Sequence, residues 1–365
     1  KQNRAVIIMS SVSSLISPVG AIHESPLRWF IFLSFLSLTS CSLLASKDPI
    51  TFSGIAYYSM PWSVKIDALP KDLSTPKLQQ ELQQTLDNAN AVLSTYQPDT
   101  ELMRFNAAPI GVWQTTSPML FGAVTTAVSV SQKTQGVYDV TVAPLVSLWG
   151  FGAQAVPNKI PSVEAIQAAQ AKVGWQHIGI DNTQQKLQRQ TDIELNLSSL
   201  GEGVGVDALE KVLAKHGVSS YMISVAGTLR TRGQKLDGSA WRIAIEKPDG
   251  SGLPERVLNL GTNVTAISTS GAYRNYHEID GIRYSHTIDP RTGKPIAHKT
   301  VSVTVVLPKQ SSQLADAWAT ALNALGAEEG YTVAVNNHIP AYYLVKTAQG
   351  FSEKYTPEFK PFLGD

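Results

Sequence analysis

Cysteine is almost absent. The 365 residues hold one, Cys41, so neither a disulfide framework nor a thiolate metal site can be assembled within the chain. Charge of one sign is also missing. The formal net charge is +1, and Lys and Arg are scattered rather than gathered in blocks, which excludes the basic stripe that a nucleic-acid surface needs. Any phosphate in a substrate must therefore be met locally. No apolar run approaches the about 20 residues that cross a bilayer as a helix, and no internal repeat is visible. What is there, 43% apolar and 16% charged residues, is the composition of a folded chain with a large core, in one large domain or two intimate ones.

Near the N-terminus, Pro26-Leu27-Arg28 precedes an apolar stretch of ten, Trp29 to Leu38. That is too short to span a membrane but suits the core of a secretory signal. Leu38-Thr39-Ser40-Cys41 follows and resembles the bacterial lipobox. The expectation is a signal peptide over 1–41 with Cys41 as the lipidated first mature residue, a polar tether over 42–55, and a globular domain over 56–365. That would anchor the protein by lipid at the periplasmic face of a bacterial membrane, inner or outer being open.

Hydrophobic spacing then predicts the elements. Alternation marks a strand at Val64–Asp67. Leu78, Leu82, Leu86, Ala89 and Leu93 lie at spacings of four, four, three and four and predict an amphipathic helix from Pro76. Further helices are expected at 118–134, 161–173, 204–216 and 314–326, and another from Glu328. Strands are expected around 177–180, 186–189, 221–228, 241–248 and 300–306, and from Ala341. Val140 to Trp149 reads as a buried strand and corner. Gly201, Gly203 and Gly205 before a helix hint at a dinucleotide loop, but the spacing alone is a weak signal and no βαβ unit flanks it. The helix N-terminus would still suit an anion.

Two stretches carry chemistry. Thr269 to Pro295 reads TSGAYRNYHEIDGIRYSHTIDPRTGKP, with more aromatic and hydrogen-bonding groups than a surface connection uses. Its Asp289-Pro290-Arg291-Thr292-Gly293 segment is a rigid turn, because proline presets φ and glycine permits φ > 0. Taken alone, Ser285-His286 before a turn is an ordinary structural feature. In the second stretch, Asp316 and Thr320 are four apart on one helix face. With a carbonyl from elsewhere and ligand phosphate oxygens they could complete an octahedral Mg²⁺ site, although such a pair is commonly a chance match.

The whole string resembles the signature of the ApbE family, the FAD:protein FMN transferases, which carry TSGxYRNY and then YSHxIDPxTGxP. Four more blocks agree with it in order: Met60; Ser94 to Asn106 with Tyr96; Gly136 to Gly152 with Val137, Tyr138 and Asp139; and Asn196 to Asp207 with Ser199 and Glu202. Asn196 stands where an aspartate is common, Glu202 where lysine is common, Ala226 where a glycine is common, and Ala319 where some members have a second aspartate. The resemblance implies an α+β fold of two intimately packed, T-fold-like subdomains with the flavin in the cleft between them. It implies Mg²⁺-dependent transfer of FMN from FAD to a threonine or serine hydroxyl of an acceptor protein, releasing AMP. The acceptor would carry a motif like S/T-G-A-T/S, as do flavoprotein subunits of membrane electron-transport complexes. Carried over residue by residue, Met60, Tyr96, Val137, Tyr138, Asp139, Asn196, Glu202 and Ile288 would hold the flavin nucleotide. Ser199 by its carbonyl, Asp316 and Thr320 would hold Mg²⁺, and His286 would be the general base. FAD hydrolysis to FMN and AMP, or flavin binding without catalysis, are the alternatives.

Overall fold

The computed structural model describes residues 48–57, 59–71, 73–151, 159–271, 276–279 and 282–364. Cys41 and the expected signal peptide lie outside the described residues, as do Tyr273, Arg274 and Asn275 of the signature. The fold is α+β. Eight strands form one antiparallel sheet: β1 (Ile50–Ala56), β2 (Met60–Ile66), β3 (Tyr221–Val225), β4 (Thr228–Arg232), β5 (Thr265–Gly271), β6 (Thr300–Pro308), β7 (Ala341–Thr347) and β8 (Gly350–Tyr355), each beside the next. Among the described residues seven α-helices accompany it: α1 (Thr75–Leu93), α2 (Glu101–Ala107), α3 (Pro118–Lys133), α4 (Ala143–Leu148), α5 (Val163–Gln170), α6 (Gly201–Lys215) and α7 (Ser312–Asn336).

Two cores lie under this single sheet. One joins β1–β3 to α1 and α6 through Trp62, Val64, Ile66, Leu78, Leu82, Leu86 and Leu209. The leucine stripe expected from spacing is the buried face of α1, and truncating any one of its leucines to alanine would cost about 2–5 kcal/mol. The other joins β5–β7 to α3 and α7 through residues such as Ala266, Val303, Val305, Trp318, Leu322 and Tyr343. On the opposite sheet face, Ile267, Val306, Tyr342 and Leu344 pack against the hairpin Ile243–Glu246/Pro254–Leu258 and Phe359. β6 and β7 are thus buried on both faces, continuously over Ser302–Leu307 and Ala341–Leu344, whereas β1 buries only Phe52 and Ala56 fully.

Three expectations need correction, and one helix is an addition. The segment 42–55 does not stay a tether throughout: β1 begins at Ile50, and it escaped notice because its inward positions are small or widely spaced (Phe52, Gly54, Ala56). Val140 to Trp149 is not a strand: Pro144 in the first turn opens α4, and Leu145 and Trp149 pack with Ile166 and Ile288. The short helix α2 was not foreseen, although Thr100 caps it with its hydroxyl 3.2 Å from Met103 N. The glycines at 201, 203 and 205 do not form a loop ahead of a helix; they lie inside α6. A Cβ on Gly203 would collide with the Ser312 carbonyl and the Gln313 backbone, and one on Gly205 would come within 2.6 Å of the Tyr57 hydroxyl. These glycines are notches where α6 crosses α7 and meets Tyr57.

Candidate active site

A cavity of about 520 Å³ opens among β2, β5, α4, α6 and α7. All twelve residues singled out from the sequence line it: Met60, Tyr96, Val137, Tyr138, Asp139, Asn196, Ser199, Glu202, His286, Ile288, Asp316 and Thr320. They come from six separate stretches of chain.

Its deep end is acidic. Asp316 on α7 accepts hydrogen bonds from Gly203 N at 2.9 Å and from the Ser268 hydroxyl at 3.0 Å. The α6 N-terminus does receive an anion, as its unpaired N–H groups favour, but the anion is the protein's own carboxylate. Glu202 accepts from Thr228 Oγ1 at 3.2 Å, and Thr228 lies 3.0 Å from Ser268 Oγ. Two carboxylates thus share one hydroxyl relay. Burial first, and then the charge of Glu202, hold the Asp316 carboxyl well above the usual carboxylate range, and burial raises Glu202 too. The Tyr57 phenol is raised by burial and then by both carboxylates. Ala319, which stands where some members of the resembled family have a second aspartate, is buried in the core; among the described residues the second carboxylate beside Asp316 is Glu202, from α6.

Beside this pair, Thr320 Oγ1 donates to the Ser199 carbonyl at 3.2 Å, and the Ser199 hydroxyl is 2.9 Å from Tyr138 OH. Among the described residues there is no group of three or more His, Cys, Asp or Glu able to hold a metal. The donor set here is of another kind: one carboxylate, one hydroxyl and one backbone carbonyl, all hard oxygens, next to a second buried carboxylate. Two desolvated acids without a cation between them are what a divalent ion such as Mg²⁺ would relieve, so the residues fit that group.

The Asp139 region is a clamp. Its Oδ1 accepts from Thr141 N at 2.8 Å and Thr141 Oγ1 at 2.6 Å, and its Oδ2 from Trp175 N at 3.0 Å. A carboxylate has about four lone-pair sites, so one is left for a ligand. Burial raises the group despite those three donors. Asn196 holds its own loop, its Oδ1 accepting from Ser198 N at 3.0 Å.

The outer end is apolar and aromatic. Tyr96 is 63% exposed and Met60 37% exposed, and Val142, Val146 and Phe151 add to the wall. His286 presents its ring edge-on to Phe151, centroids 6.3 Å apart. The other two histidines near the signature are held by carbonyls: His277 Nε2 is 3.1 Å from Gly150 O, and His298 Nε2 is 3.3 Å from Ala324 O. The turn below His286 is rigid as expected. Gly293 has φ +67° and its N–H bonds Asp289 O at 2.9 Å, while Trp149 Nε1 pins Gly293 O at 2.8 Å. The Asp289 carboxylate is committed to Arg291 and does not face the cavity. Thr228, Ser268, Tyr57 and Thr141 were not foreseen, because a hydroxyl that steadies a carboxylate leaves no spacing signal.

The cavity thus joins an acidic, oxygen-lined pit to an apolar, aromatic slot. The chain belongs to the ApbE family, whose model matches residues 58–343. FAD:protein FMN transferase from Escherichia coli K12 is 41% identical over 307 residues, covering 83% of this chain and 86% of that one. Its counterpart from Vibrio cholerae is 39% identical over 340 residues, covering 92% and 99%. The solved flavin transferase ApbE from Vibrio cholerae superposes with a TM-score of 0.78 at 38% identity, over 87% of this chain and 99% of that one.

Proposed function

We propose that this protein transfers FMN from FAD to a threonine or serine hydroxyl of an acceptor flavoprotein. The observation that carries the reading is the meeting of all twelve expected residues at one cavity, acidic at one end and aromatic at the other. Relatives at about 40% identity over most of the chain bear that transferase name.

The ring would lie against Tyr96 and Met60, with Val137, Tyr138 and Ile288 as walls and the free lone pair of Asp139 toward its polar edge. Asn196 and Glu202 would border the ribityl and phosphate portion. The acceptor hydroxyl oxygen attacks the phosphorus on the FMN side; a P–O bond forms there, the bond to the AMP phosphate breaks, and AMP leaves. His286 takes the hydroxyl proton, the task an imidazole suits at neutral pH. Asp316, Thr320 and the Ser199 carbonyl would hold Mg²⁺, which when bound supplies charge neutralisation at the diphosphate. Glu202 and Asp316, kept in place by Thr228 and Ser268, preserve the negative pit that such an ion requires.

Incubating the full chain with FAD, Mg²⁺ and a threonine-bearing acceptor tests this. Covalent yellow flavin on the acceptor in a denaturing gel is expected. Brisk FAD cleavage with an unlabelled acceptor would mean a hydrolase, and binding without cleavage a carrier. The lipid anchor on Cys41 at the periplasmic face is part of the same reading and rests on the lipobox-like Leu38 to Cys41. Among the described residues no helix is long and apolar enough to cross a membrane. Cys41→Ser should give unprocessed precursor or soluble protein in fractionated cells; mature protein cut at the same place and still sedimenting with membranes would end the anchor.

A further inference from the structure

The sheet has an open seam at the cavity mouth. β5 pairs with β6 along its whole length, Thr265↔Pro308 through Gly271↔Ser302. On its other side it pairs with β4 only at Thr265, Ala266 and Ile267. The β3–β4 hairpin turns back at Ala226–Gly227, one residue before Thr228, so among the described residues Thr269, Ser270 and Gly271 run past it with no strand beside them. A strand edge of this kind is a template for another strand.

The two faces of that seam differ. On one lies the cavity already described, which Thr269, Ser270 and Gly271 line. On the other lies a second pocket of about 280 Å³, formed with the Ile243–Glu246 hairpin and sharing Ala226 and Thr269 with the first. Ser224, Thr269, Ser302 and Thr304 bring hydroxyls to it; those of Thr269 and Thr304 are 2.8 Å apart. Among the described residues its lining has no aromatic ring on which a base could stack and no cation for a phosphate. That chemistry suits small side chains of a peptide better than the adenosine half of a dinucleotide.

We propose that the acceptor protein enters as an extended segment paired to the free edge of Thr269–Gly271. Alternate side chains of a strand point to opposite faces. The residue bearing the reacting hydroxyl therefore faces the flavin cavity, and its two neighbours face the second pocket, whose hydroxyl-rich lining suits small side chains. Main-chain pairing gives the affinity and the pocket gives the selectivity, the division found when a strand is added to a sheet edge. This proposal rests on the transferase reading above and names how its protein substrate is recognised.

The test uses the full chain loaded with FAD and Mg²⁺ and a set of synthetic peptides, each a threonine flanked by glycine and alanine. In one series each backbone amide is N-methylated in turn; in another each flanking residue becomes tryptophan. N-methylation should hurt at every second position, and tryptophan next to the threonine should cut kcat/KM by about 10-fold to 200-fold, the usual range for a misfit in a small pocket. Ser224→Leu, which fills the second pocket from the partly exposed side of β3, should raise KM for the peptide by a similar factor. Its FAD affinity and its slow FAD cleavage without acceptor should match wild type. Ala244→Trp, on the exposed hairpin across the pocket, serves as the second variant and should do the same. Unaltered labelling by both variants together with no two-residue period in the methylated series would overturn the proposal. So would loss of FAD affinity in the variants with FMN affinity intact, because the pocket would then hold the adenosine half. If wild type labels no peptide and cleaves FAD briskly, the transferase reading itself fails, and the proposal with it.

Discussion

The two ends of the cavity are built in opposite ways. At the acidic end the groups are buried and already engaged: Asp316 has both oxygens matched by Gly203 and Ser268, and Glu202 is held by Thr228. At the aromatic end Tyr96 stands largely in solvent and Met60 is partly exposed. The difference follows from what each end must supply. Charge stabilisation at a diphosphate is effective only when dipoles and charges are fixed before the reaction. A flat ring asks for contact area, which exposed side chains can supply once the ligand arrives. On the proposed reading chemistry and binding are lodged in different parts of the site, and mutations should separate them.

The sharpest test of that separation is His286→Ala. It should lose about 10² to 10⁴ in transfer rate, the worth of a positioned base, while FAD affinity by fluorescence titration stays near wild type; a parallel fall in affinity would erase the distinction. Next comes Asp316→Ala, with an expected loss of about 10² to 10³ in turnover, the size seen on removing a preorganised electrostatic group. Thr320→Ala, lacking only a neutral donor, should lose less. Calorimetry with Mg²⁺ and an uncleavable FAD analogue should find the cation affinity abolished in the Asp316 variant, and equal affinity would count against its role. At the other end, Tyr96→Ala should weaken FAD binding by about 0.5–1.5 kcal/mol, an aromatic contact's worth, and leave the rate at saturating FAD almost unaltered.

The acidic pair also gives a pH signature. Unfolded, the two carboxyls titrate near 4; folded, both are raised. Above about pH 4 the unfolded chain has released protons that the folded one still binds, so metal-free stability should fall as pH rises from there through the raised folded values. Mg²⁺ should oppose the fall, stabilising more at pH 8 than at pH 5 in thermal melts. A cation effect independent of pH would uncouple the ion from these acids. The smallest effect is expected at Ala226, whose φ is +50°. A left-handed backbone costs an L-residue roughly 1–2 kcal/mol, so Ala226→Gly should stabilise slightly in urea, after glycine's own entropy is offset. No gain would mean that the methyl packs usefully between the two pockets.

Much of the site was legible because its residues lie in strings whose joint spacing is specific. The Thr269–Pro295 stretch, the Gly136–Gly152 block and the Asp316/Thr320 pair all meet at one cavity. Long amphipathic elements such as α1 were equally plain. What stayed hidden was set by tertiary contact. Gly201, Gly203 and Gly205 have the spacing of a phosphate loop, yet they lie inside a helix because other elements press against it. Thr228 and Ser268 matter only through carboxylates 26 and 48 residues away in sequence, so no local pattern announces them. β1 was missed because a strand that buries only alternate small residues has a weak alternation.

The crossing at Gly203 sets the gap between the Glu202 and Asp316 backbones by the absence of an atom. A single added methyl would push α6 off α7, part Gly203 N from the Asp316 carboxylate and slacken the relay through Ser268 and Thr228. In a mutational screen scored by activity, substitutions at this position would look like lesions of a catalytic group, although glycine offers no side chain to do chemistry. The reading would be mistaken in an instructive way: at this spot the enzyme's reactivity is a matter of spacing, and a ruler broken by one carbon is as damaging as a ligand lost.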